Sequence, residues 1–387
     1  MKENSITTLS TIHRLRSTDA VCPRIYGLPK VHKDGVPLRP IVSFVNSATY
    51  SLSKYLCNLL SPLLKCSDVD VASSYDFVRF VQTVKWRPGD VMISCDVQSL
   101  FTCVPVDLAV SVVEERLNMY QLSDCSLSVD NILMLLRFCL NSSDFCFKGD
   151  FYHQKFGCPM GSPVSVTVAN LVMQHIEKKI LLNKSYDLLF WRRFVDDTWI
   201  VIPEQNVDKF VSFINTIENS INFTVEREDE NRSLPFLDVL VTRNLRDHCF
   251  RVAMYSKPTQ SDRYLPFSSH NPVCHKRSVV KCLTKRSAIL SSCKSVSDVQ
   301  TERVCNALLE NGYPYNFVKN SIFSCDPVHV NRDQNKGFVC LPYVSKISEP
   351  ISRILSRHKI KTCFKPCLRL RNSLPAPKDG VDPADAV

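Results

Sequence analysis

The chain has 387 residues, a formal net charge of +10, 44% hydrophobic residues, 22% charged residues, 18 cysteines and only nine glycines. This composition is typical of a globular protein and excludes collagen-like and intrinsically disordered classes. The sequence contains no Gly-x-Gly-x-x-Gly or Gly-x4-Gly-Lys-Ser/Thr phosphate loop. Any nucleotide phosphates must therefore be held by metal ions and cationic side chains.

The N-terminal segment lacks the apolar core of a secretory signal, and no apolar run is long enough to cross a membrane. We therefore expect an intracellular chain with no membrane partner. In that compartment, scattered cysteines favour buried reduced thiols over disulfides, which remain the alternative. Two groups lack zinc-finger spacing but are alternative zinc ligands, namely Cys363 with Cys367, and His270, Cys274, His275 and Cys282.

In chain order, the first predicted element is a β-hairpin formed by residues 26–30 and 36–41 around Asp34-Gly35. The cations predicted to project from this hairpin are Lys30, Lys33 and Arg39. Beyond it, hydrophobic periodicity predicts an α+β arrangement. Helices are expected near 47–64, 75–84, 107–119, 129–140, 164–182 and 207–220, a buried strand at 91–95, hairpins at 145–154 and 188–202, and strands near 223–226 and 236–243.

The C-terminal third is predicted to be mainly helical, with helices over 275–290 and 297–311. It is also basic: residues 251–387 carry 22 Lys and Arg against 10 Asp and Glu, whereas residues 1–249 carry 26 against 28. This asymmetry favours a polyanionic partner, and a merely solvated basic face is the alternative. The two helices could form a helix-turn-helix-like pair with Lys276, Lys281 and Lys285 near one face.

Three carboxylates stand between apolar residues. Asp96 ends the strand at 91–95, and Asp196 and Asp197 lie at the tip of the hairpin at 188–202. A hairpin tip beside a strand end brings such groups together, and three carboxylates at one place need cations between them. Two Mg²⁺ ions would satisfy this need and would support in-line phosphoryl chemistry. An Asp-Asp pair alone is equally compatible with a capped turn.

The surrounding motifs, in order, resemble those of the reverse transcriptases of Penelope-like retroelements, which are relatives of telomerase reverse transcriptase. The matching segments are 24–33 (RIYGLPKVHK), 37–43 (PLRPIVS), 96–105 (DVQSLFTCVP), 157–165 (GCPMGSPVS) with Ala169 and Asn170, 194–197 (FVDD), 234–240 (LPFLDVL), and the start of a helical region at 257–266. The resemblance covers residues 24 to about 375.

The resemblance implies roles for individual residues. Asp96 and Asp196 would be the metal ligands, Asp197 would support the site, and the backbone carbonyl of Val97 would reach the metal of the nucleotide. Lys30 and Arg39 would neutralise the triphosphate, although both are also compatible with ordinary surface cations.

Four further residues would shape the nucleotide site. Phe101 falls at the position of the sugar gate that excludes a ribose 2′-hydroxyl, and a core aromatic is the alternative. Gly161 would let the backbone approach the templating base pair. Met160 stands where many other reverse transcriptases have Gln. Asn170 would help to position the nucleotide or serve as a polar group on the surface of its helix.

The implied fold is a right-hand polymerase of the α+β class, with fingers, a palm built on an antiparallel sheet, and a helical thumb. We expect fingers within 1–90, a palm over 91–250, a basic helical thumb over 251–372, and a flexible tail or linker over 373–387. The implied activity is RNA-directed DNA polymerisation with two Mg²⁺ ions, or Mn²⁺ as a substitute.

The implied partners are an RNA template, a DNA primer and dNTPs, and the expected location is nuclear. No GIY-YIG endonuclease pattern is found in the sequence, so an endonuclease acting in trans is a further expectation. An RNA-dependent RNA polymerase and a catalytically dead or domesticated nucleic-acid-binding copy are the alternative functions.

Overall fold

The secondary structure comes from a computed structural model that describes residues 9–30, 35–64, 69–120, 127–323 and 337–366. Lys33, Cys367 and the tail at 373–387 lie outside the described residues. The helices are α1 (Leu9–Leu15), α2 (Tyr50–Leu60), α3 (Ser74–Val81), α4 (Leu100–Cys103), α5 (Val106–Met119), α6 (Val129–Asn141), α7 (Pro163–Leu182), α8 (Val207–Ile214), α9 (Val273–Ile289), α10 (Lys294–Glu310), α11 (Tyr315–Phe323) and α12 (Ser348–Arg357). The strands are β1 (Arg24–Pro29), β2 (Leu38–Ser43), β3 (Asp90–Val97), β4 (Asp144–Phe147), β5 (Asp150–His153), β6 (Phe190–Phe194), β7 (Asp197–Pro203), β8 (Phe223–Arg227), β9 (Ser233–Phe236), β10 (Val239–Arg243), β11 (Phe250–Met254), β12 (Gly337–Tyr343) and β13 (Ile360–Pro366).

The described residues fall into two compact units. The N-terminal unit takes its residues from Met1–Leu237 and Val241–Phe250, and the C-terminal unit takes its residues from Asp238–Leu240 and Arg251–Val387.

The centre of the N-terminal unit is a four-stranded sheet of order β6-β7-β3-β8, called here the acidic sheet. Its three strand pairs are all antiparallel. On β3, Ile93, Cys95 and Val97 point into the core, whereas Asp96 between them is exposed. This period-2 alternation fixes which face of the sheet carries the carboxylate.

Helices cover the apolar face of the acidic sheet. The main core joins side chains of β3, β6 and β7 to those of α2, α5, α6, α7 and α8. The helix predicted over 164–182 is confirmed as α7, and its apolar positions Val164, Val168, Leu171, Val172 and Ile176 are all buried.

A second sheet of the N-terminal unit has the order β2-β1-β4-β5 and is called here the hairpin sheet. β1 and β2 pair antiparallel from Arg24↔Ser43 to Pro29↔Leu38, so the predicted hairpin is confirmed. β4 and β5 form the second predicted hairpin, and β4 joins β1 in parallel.

The structure departs from the sequence-based expectations in several elements. The helix predicted near 207–220 ends at Ile214. The single strand predicted near 236–243 was wrong, because Leu237 has a left-handed φ of +53° and separates β9 from β10. The C-terminal third is mainly helical, as expected, but it also contains a parallel strand pair that was not predicted, β12 and β13, joined through α12. In the same unit, α9, α10 and α11 pack around Val280, Val304, Leu308, Tyr313 and Val318.

Candidate functional site

Two of the predicted catalytic carboxylates lie opposite each other on neighbouring strands of the acidic sheet. Asp96 on β3 is paired in register with Asp197, the first residue of β7. Directly paired residues of antiparallel strands have Cβ atoms roughly 4.5–5.5 Å apart on one face of the sheet. Asp196 occupies the turn that immediately precedes β7. The register thus confirms the expectation for Asp96 and Asp197, whereas among the described residues the three carboxylates are not gathered into one metal-binding group.

The turn that carries Asp196 is tight and strained. Phe194 pairs with Asp197, so only Val195 and Asp196 connect β6 to β7. Val195 has a φ of +58°, a left-handed conformation that is unfavourable for a β-branched residue. Such strain costs about 1–3 kcal/mol and persists only where surrounding contacts enforce it. Here the carbonyl oxygen of Val195 accepts a hydrogen bond from Nη1 of Arg193 at 2.9 Å.

Asn170 lies in α7 and contacts the same guanidinium. Its Oδ1 accepts from Nη1 of Arg193 at 3.0 Å, and its Nδ2 donates to the carbonyl oxygen of Val166 at 3.1 Å. Both ends of the Asn170 amide thus bond within the protein. Asn170 thus helps to hold the guanidinium that donates to the carbonyl oxygen of Val195. Its contact with a nucleotide stays a prediction.

The end of β3 is held on its other side by β8. Val97 pairs with Phe223, its side chain is buried, and the carbonyl oxygen of Asp96 accepts from Oγ1 of Thr224 at 3.1 Å. These contacts fix the backbone of residues 96 and 97. A fixed backbone at this point is what a metal-binding role of the Val97 carbonyl would require.

Phe101 follows in the short helix α4. Its ring is partly buried and packs against the main core, as the core-aromatic alternative predicts. Its carbonyl oxygen accepts from the amide of Cys158 at 2.8 Å. A Cβ on Gly157 would lie 2.3 Å from the carbonyl oxygen of Thr102, so a side chain at 157 would separate the two segments. The residues after β3 are therefore held against the loop at 157–161.

Gly161 has a backbone requirement of its own. Its φ is +89°, and a Cβ there would lie 1.9 Å from the carbonyl oxygen of Val42 on β2. The close approach seen in the structure is thus between this loop and the hairpin sheet, whereas an approach to a templating base pair stays a prediction. Met160, the neighbour of Gly161, is partly exposed in the same loop.

The two predicted phosphate-binding cations lie on one face of the hairpin sheet. Leu28 pairs with Arg39, and the amide of Lys30 donates to the carbonyl oxygen of Pro37, which continues the same register. Because every second residue shares a face, Lys30 and Arg39 project to the same side. Arg39 is exposed and Lys30 partly so.

The predicted basic face of α9 needs a correction. Lys276 is only 8% exposed, its Nζ donates to the carbonyl oxygen of Ser269 at 2.8 Å, and it lies 4.9 Å from the centroid of the Phe267 ring. A lysine held in this way stabilises the C-terminal unit and does not face solvent. Lys285 is exposed and Lys281 partly exposed.

Sequence reasoning missed the residue that continues this face. Arg277 is exposed and stands four residues before Lys281, which stands four before Lys285. Residues at this spacing form one stripe along a helix. The i, i+4, i+8 spacing was visible in the sequence, but it was assigned to the wrong first residue.

The donors of the acidic sheet suit a hard divalent cation, because Asp96, Asp196 and Asp197 offer carboxylate oxygens. In the part of the chain that the structure describes, no three His, Cys, Asp or Glu side chains are gathered closely enough to hold a metal ion by themselves. Mg²⁺ usually takes only one or two protein carboxylates and completes its shell with water and substrate phosphates. These carboxylates therefore suit Mg²⁺ where water or phosphate oxygens complete its shell, and the binding of the ion stays a prediction.

Thiols and membrane segments complete the description. The described cysteines are all free, and burial raises the pKa of Cys95 and of Cys158 to about 12. No helix within the described ranges is both long and apolar enough to cross a bilayer.

A family model of the animal helix-turn-helix domain matches residues 263–323. This region contains α9, α10 and α11, so the helix-turn-helix expected from the sequence is supported. No curated protein matches the chain.

The fold is similar to solved structures of nucleic-acid polymerases. Telomerase from Candida albicans, in complex with a TWJ fragment of telomeric RNA, matches with a TM-score of 0.52 at 15% identity, over 81% of this chain and 58% of that chain. Telomerase from Candida tropicalis with such a fragment gives a TM-score of 0.48 at 14% identity over 76% of this chain and 54% of that one. The Sicinivirus 3Dpol RNA-dependent RNA polymerase matches with a TM-score of 0.49 at 13% identity, over 81% of this chain and 70% of that chain.

The Candida albicans match shows the fold at this low identity. The chain has the α+β fold of a right-hand nucleic-acid polymerase, as expected, and it spans 58% of the length of that telomerase chain.

Proposed function

We propose that this chain is an RNA-directed DNA polymerase of the Penelope-like retroelement type, which transfers nucleotides from dNTPs to a primer 3′-hydroxyl on an RNA template. The observation that carries the proposal is the register of the acidic sheet, in which Asp96 stands opposite Asp197 and Asp196 fills the adjoining turn. Carboxylates from two neighbouring strands are the donors that a pair of Mg²⁺ ions requires.

In this proposal Asp96 and Asp196 would hold the two Mg²⁺ ions, Asp197 would support the site, and the backbone carbonyl of Val97 would be a further ligand. When bound, the ions would supply activation of the 3′-hydroxyl and stabilisation of the leaving pyrophosphate. Mn²⁺ is expected to substitute for Mg²⁺.

The hairpin sheet supplies the remaining positive charge. Lys30 and Arg39 share one face of β1 and β2, and both would bind the triphosphate. At Gly161 the loop that contains Met160 approaches this sheet closely, because an added Cβ would lie 1.9 Å from the carbonyl oxygen of Val42. Phe101 would exclude a ribose 2′-hydroxyl from the sugar position.

The C-terminal unit would hold the template–primer duplex. Arg277, Lys281 and Lys285 form a stripe on α9, and contacts from such a stripe to phosphates position a duplex without reading its sequence. We assign the protein to the nucleus, where its template and any endonuclease acting in trans would be found.

Primer extension tests the proposal. The purified chain is given an RNA template, a DNA primer, Mg²⁺ and either dNTPs or NTPs, and Asp196→Asn is compared with Glu114→Gln, which changes an exposed carboxylate on α5. We expect extension with dNTPs, a loss of about 10³-fold or more in Asp196→Asn, and no change in Glu114→Gln.

Template binding, measured by fluorescence anisotropy, separates catalysis from structure. It should be unchanged in Asp196→Asn, and an equal loss of binding would mean that Asp196 is structural. Folded protein that extends no primer would contradict the enzymatic function, and preferred use of NTPs would indicate an RNA-dependent RNA polymerase instead.

A further inference from the structure

A buried arginine lies directly behind the turn that carries Asp196. The side chain of Arg193 on β6 is 2% exposed, and its Nη1 donates to the carbonyl oxygen of Val195 at 2.9 Å. Val195 has the left-handed φ of +58° that the two-residue turn requires. The guanidinium thus bonds to the strained residue next to Asp196.

The guanidinium is itself held by side chains from two other segments. Nε donates to Oε1 of Glu177 at 2.7 Å, Nη2 donates to Oδ1 of Asp70 at 2.7 Å, and Nη1 is shared with Oδ1 of Asn170. We call Asp70, Asn170, Glu177 and Arg193 the Arg193 cluster. Hydrogen bonds from a fixed guanidinium fork to carboxylates are short and directional, so they set the orientation of the group.

The backbone of Arg193 is fixed as well. Its amide donates to the carbonyl oxygen of Val69 at 2.9 Å, and its carbonyl oxygen accepts from the amide of Val71 at 2.8 Å. Residues 69–71 therefore pair with β6 at the level of Arg193, and Asp70 between them supplies the carboxylate. Main chain and side chain are restrained by the same short segment.

The partners of the guanidinium are restrained in turn. Nε1 of Trp191 donates to Oε1 of Glu177 at 2.7 Å, and Nε2 of Gln174 donates to Oδ2 of Asp70 at 2.9 Å. Oε2 of Glu177 is buried without a hydrogen-bond partner, and desolvation raises the pKa of this carboxyl group. Burying a carboxyl group costs free energy unless it is paired, and the pairing of Glu177 with Arg193 is the compensation seen here.

We propose that Arg193 is a positioning residue for catalysis: the Arg193 cluster holds the Val195 turn and thereby places Asp196 relative to Asp96. The cluster joins α7, β6 and the segment before α3, so it transmits the rigidity of the core to the turn. The expected effect on primer extension rests on the proposed function. It adds a set of residues that do not touch the substrate but determine where a metal ligand lies.

The test compares Arg193→Lys with Arg192→Lys. Lysine keeps the charge but loses the fork, and Arg192 is the neighbouring arginine of β6, whose guanidinium lies 3.7 Å from the Phe80 ring centroid and outside the cluster. Mn²⁺ binding is measured by electron paramagnetic resonance, the turn by amide hydrogen exchange of residues 194–198, and kcat and KM by primer extension.

We expect Arg193→Lys to weaken Mn²⁺ binding about 10–100-fold, the range found when a group that orients a metal ligand is lost. The kcat should fall with it, while the KM for dNTP and the template affinity stay within about twofold. Amide exchange in the turn should become about tenfold faster, as for one lost hydrogen bond from a charged donor. Arg192→Lys should resemble the wild type in all three measurements.

The inference is overturned if folded Arg193→Lys binds Mn²⁺ and exchanges its turn amides like the wild type. Should Arg193→Lys fail to fold, Asn170→Ala removes a single acceptor, and it should change both readouts in the same direction. Wild-type protein that extends no primer would contradict the proposed function alone, because the amide exchange of the turn would still decide whether Arg193 holds it.

Discussion

A methyl group added at Gly161 should destabilise the N-terminal unit more than one added at Gly89. Both glycines have nearly the same left-handed backbone, with φ of +89° and +88°. An alanine Cβ at Gly89 would meet no heavy atom within 4 Å, whereas at Gly161 it would lie 1.9 Å from the carbonyl oxygen of Val42. The pair of substitutions therefore separates the effect of the close approach from that of the backbone conformation.

The magnitudes follow from these two contributions. A left-handed conformation costs an L-residue about 1–2 kcal/mol, and both variants carry this cost. Only Gly161→Ala must also move a backbone carbonyl, and overpacking of this kind costs about 1–3 kcal/mol more. We expect the free energy of unfolding to fall by about 1–2 kcal/mol in Gly89→Ala and by about 2–5 kcal/mol in Gly161→Ala.

Urea unfolding followed by tryptophan fluorescence measures this difference in unfolding free energy, and it reports on the N-terminal unit. The three tryptophans of the chain, Trp86, Trp191 and Trp199, all lie in the N-terminal unit and are at most 5% exposed. The midpoint should shift while the slope with urea stays constant. If Gly161→Ala is no less stable than Gly89→Ala, the close approach of Gly161 to β2 is refuted.

Three further predictions concern single side chains. Phe101→Val should raise ribonucleotide incorporation relative to dNTPs in primer extension, and unchanged discrimination would remove Phe101 from the sugar-gate role. Because the pKa of Cys158 is raised to about 12, its thiol should resist iodoacetamide at pH 8 in the folded protein while exposed Cys274 reacts, and mass spectrometry showing equal labelling would contradict this burial. Lys276→Ala should lower the free energy of unfolding by about 1–3 kcal/mol, since it leaves the carbonyl oxygen of Ser269 without its lysine donor. Arg277→Ala should leave stability unchanged, but the slope of the logarithm of template affinity against the logarithm of salt concentration should become shallower by about one unit. The reverse pattern would show that Lys276 faces the duplex.

The helices and hairpins around the acidic sheet could be predicted because their apolar periodicity is strong. The alternation of Cys95, Asp96 and Val97 places the carboxylate on the exposed face, and the length of the hairpin places Asp196 at its tip. Local pattern was sufficient on β3 because Ile93, Cys95 and Val97 face the helices whereas Asp96 between Cys95 and Val97 is exposed.

The turn at Leu237 and the strands β12 and β13 could not be predicted in the same way. Leu237 carries no turn-forming side chain, and its left-handed φ is imposed by the pairing of the strands on either side. β12 is exposed along most of its length, so it shows no buried face that would distinguish it from a loop.

The Arg193 cluster lies beyond sequence reasoning for a different reason. Asp70 lies 123 residues from Arg193 in the chain, and Asn170 and Glu177, both on α7, lie 23 and 16 residues from it. The one signal was an arginine inside the apolar strand before Asp196, because a charge in such a place must be paired if it is buried. Which groups pair with it depends on the tertiary packing of α7 against β6.

Single-nucleotide incorporation by Asp96→Asn tests the central claim most directly, because Asp96 is the residue that the sheet register places opposite Asp197. With an RNA template, a DNA primer and one dNTP in Mg²⁺, we predict that kcat/KM falls by at least about 10³-fold, the equivalent of ~4 kcal/mol of lost transition-state stabilisation, while template–primer affinity is unchanged. Incorporation within about tenfold of the wild-type rate would contradict the assignment of this sheet as the centre of nucleotidyl transfer.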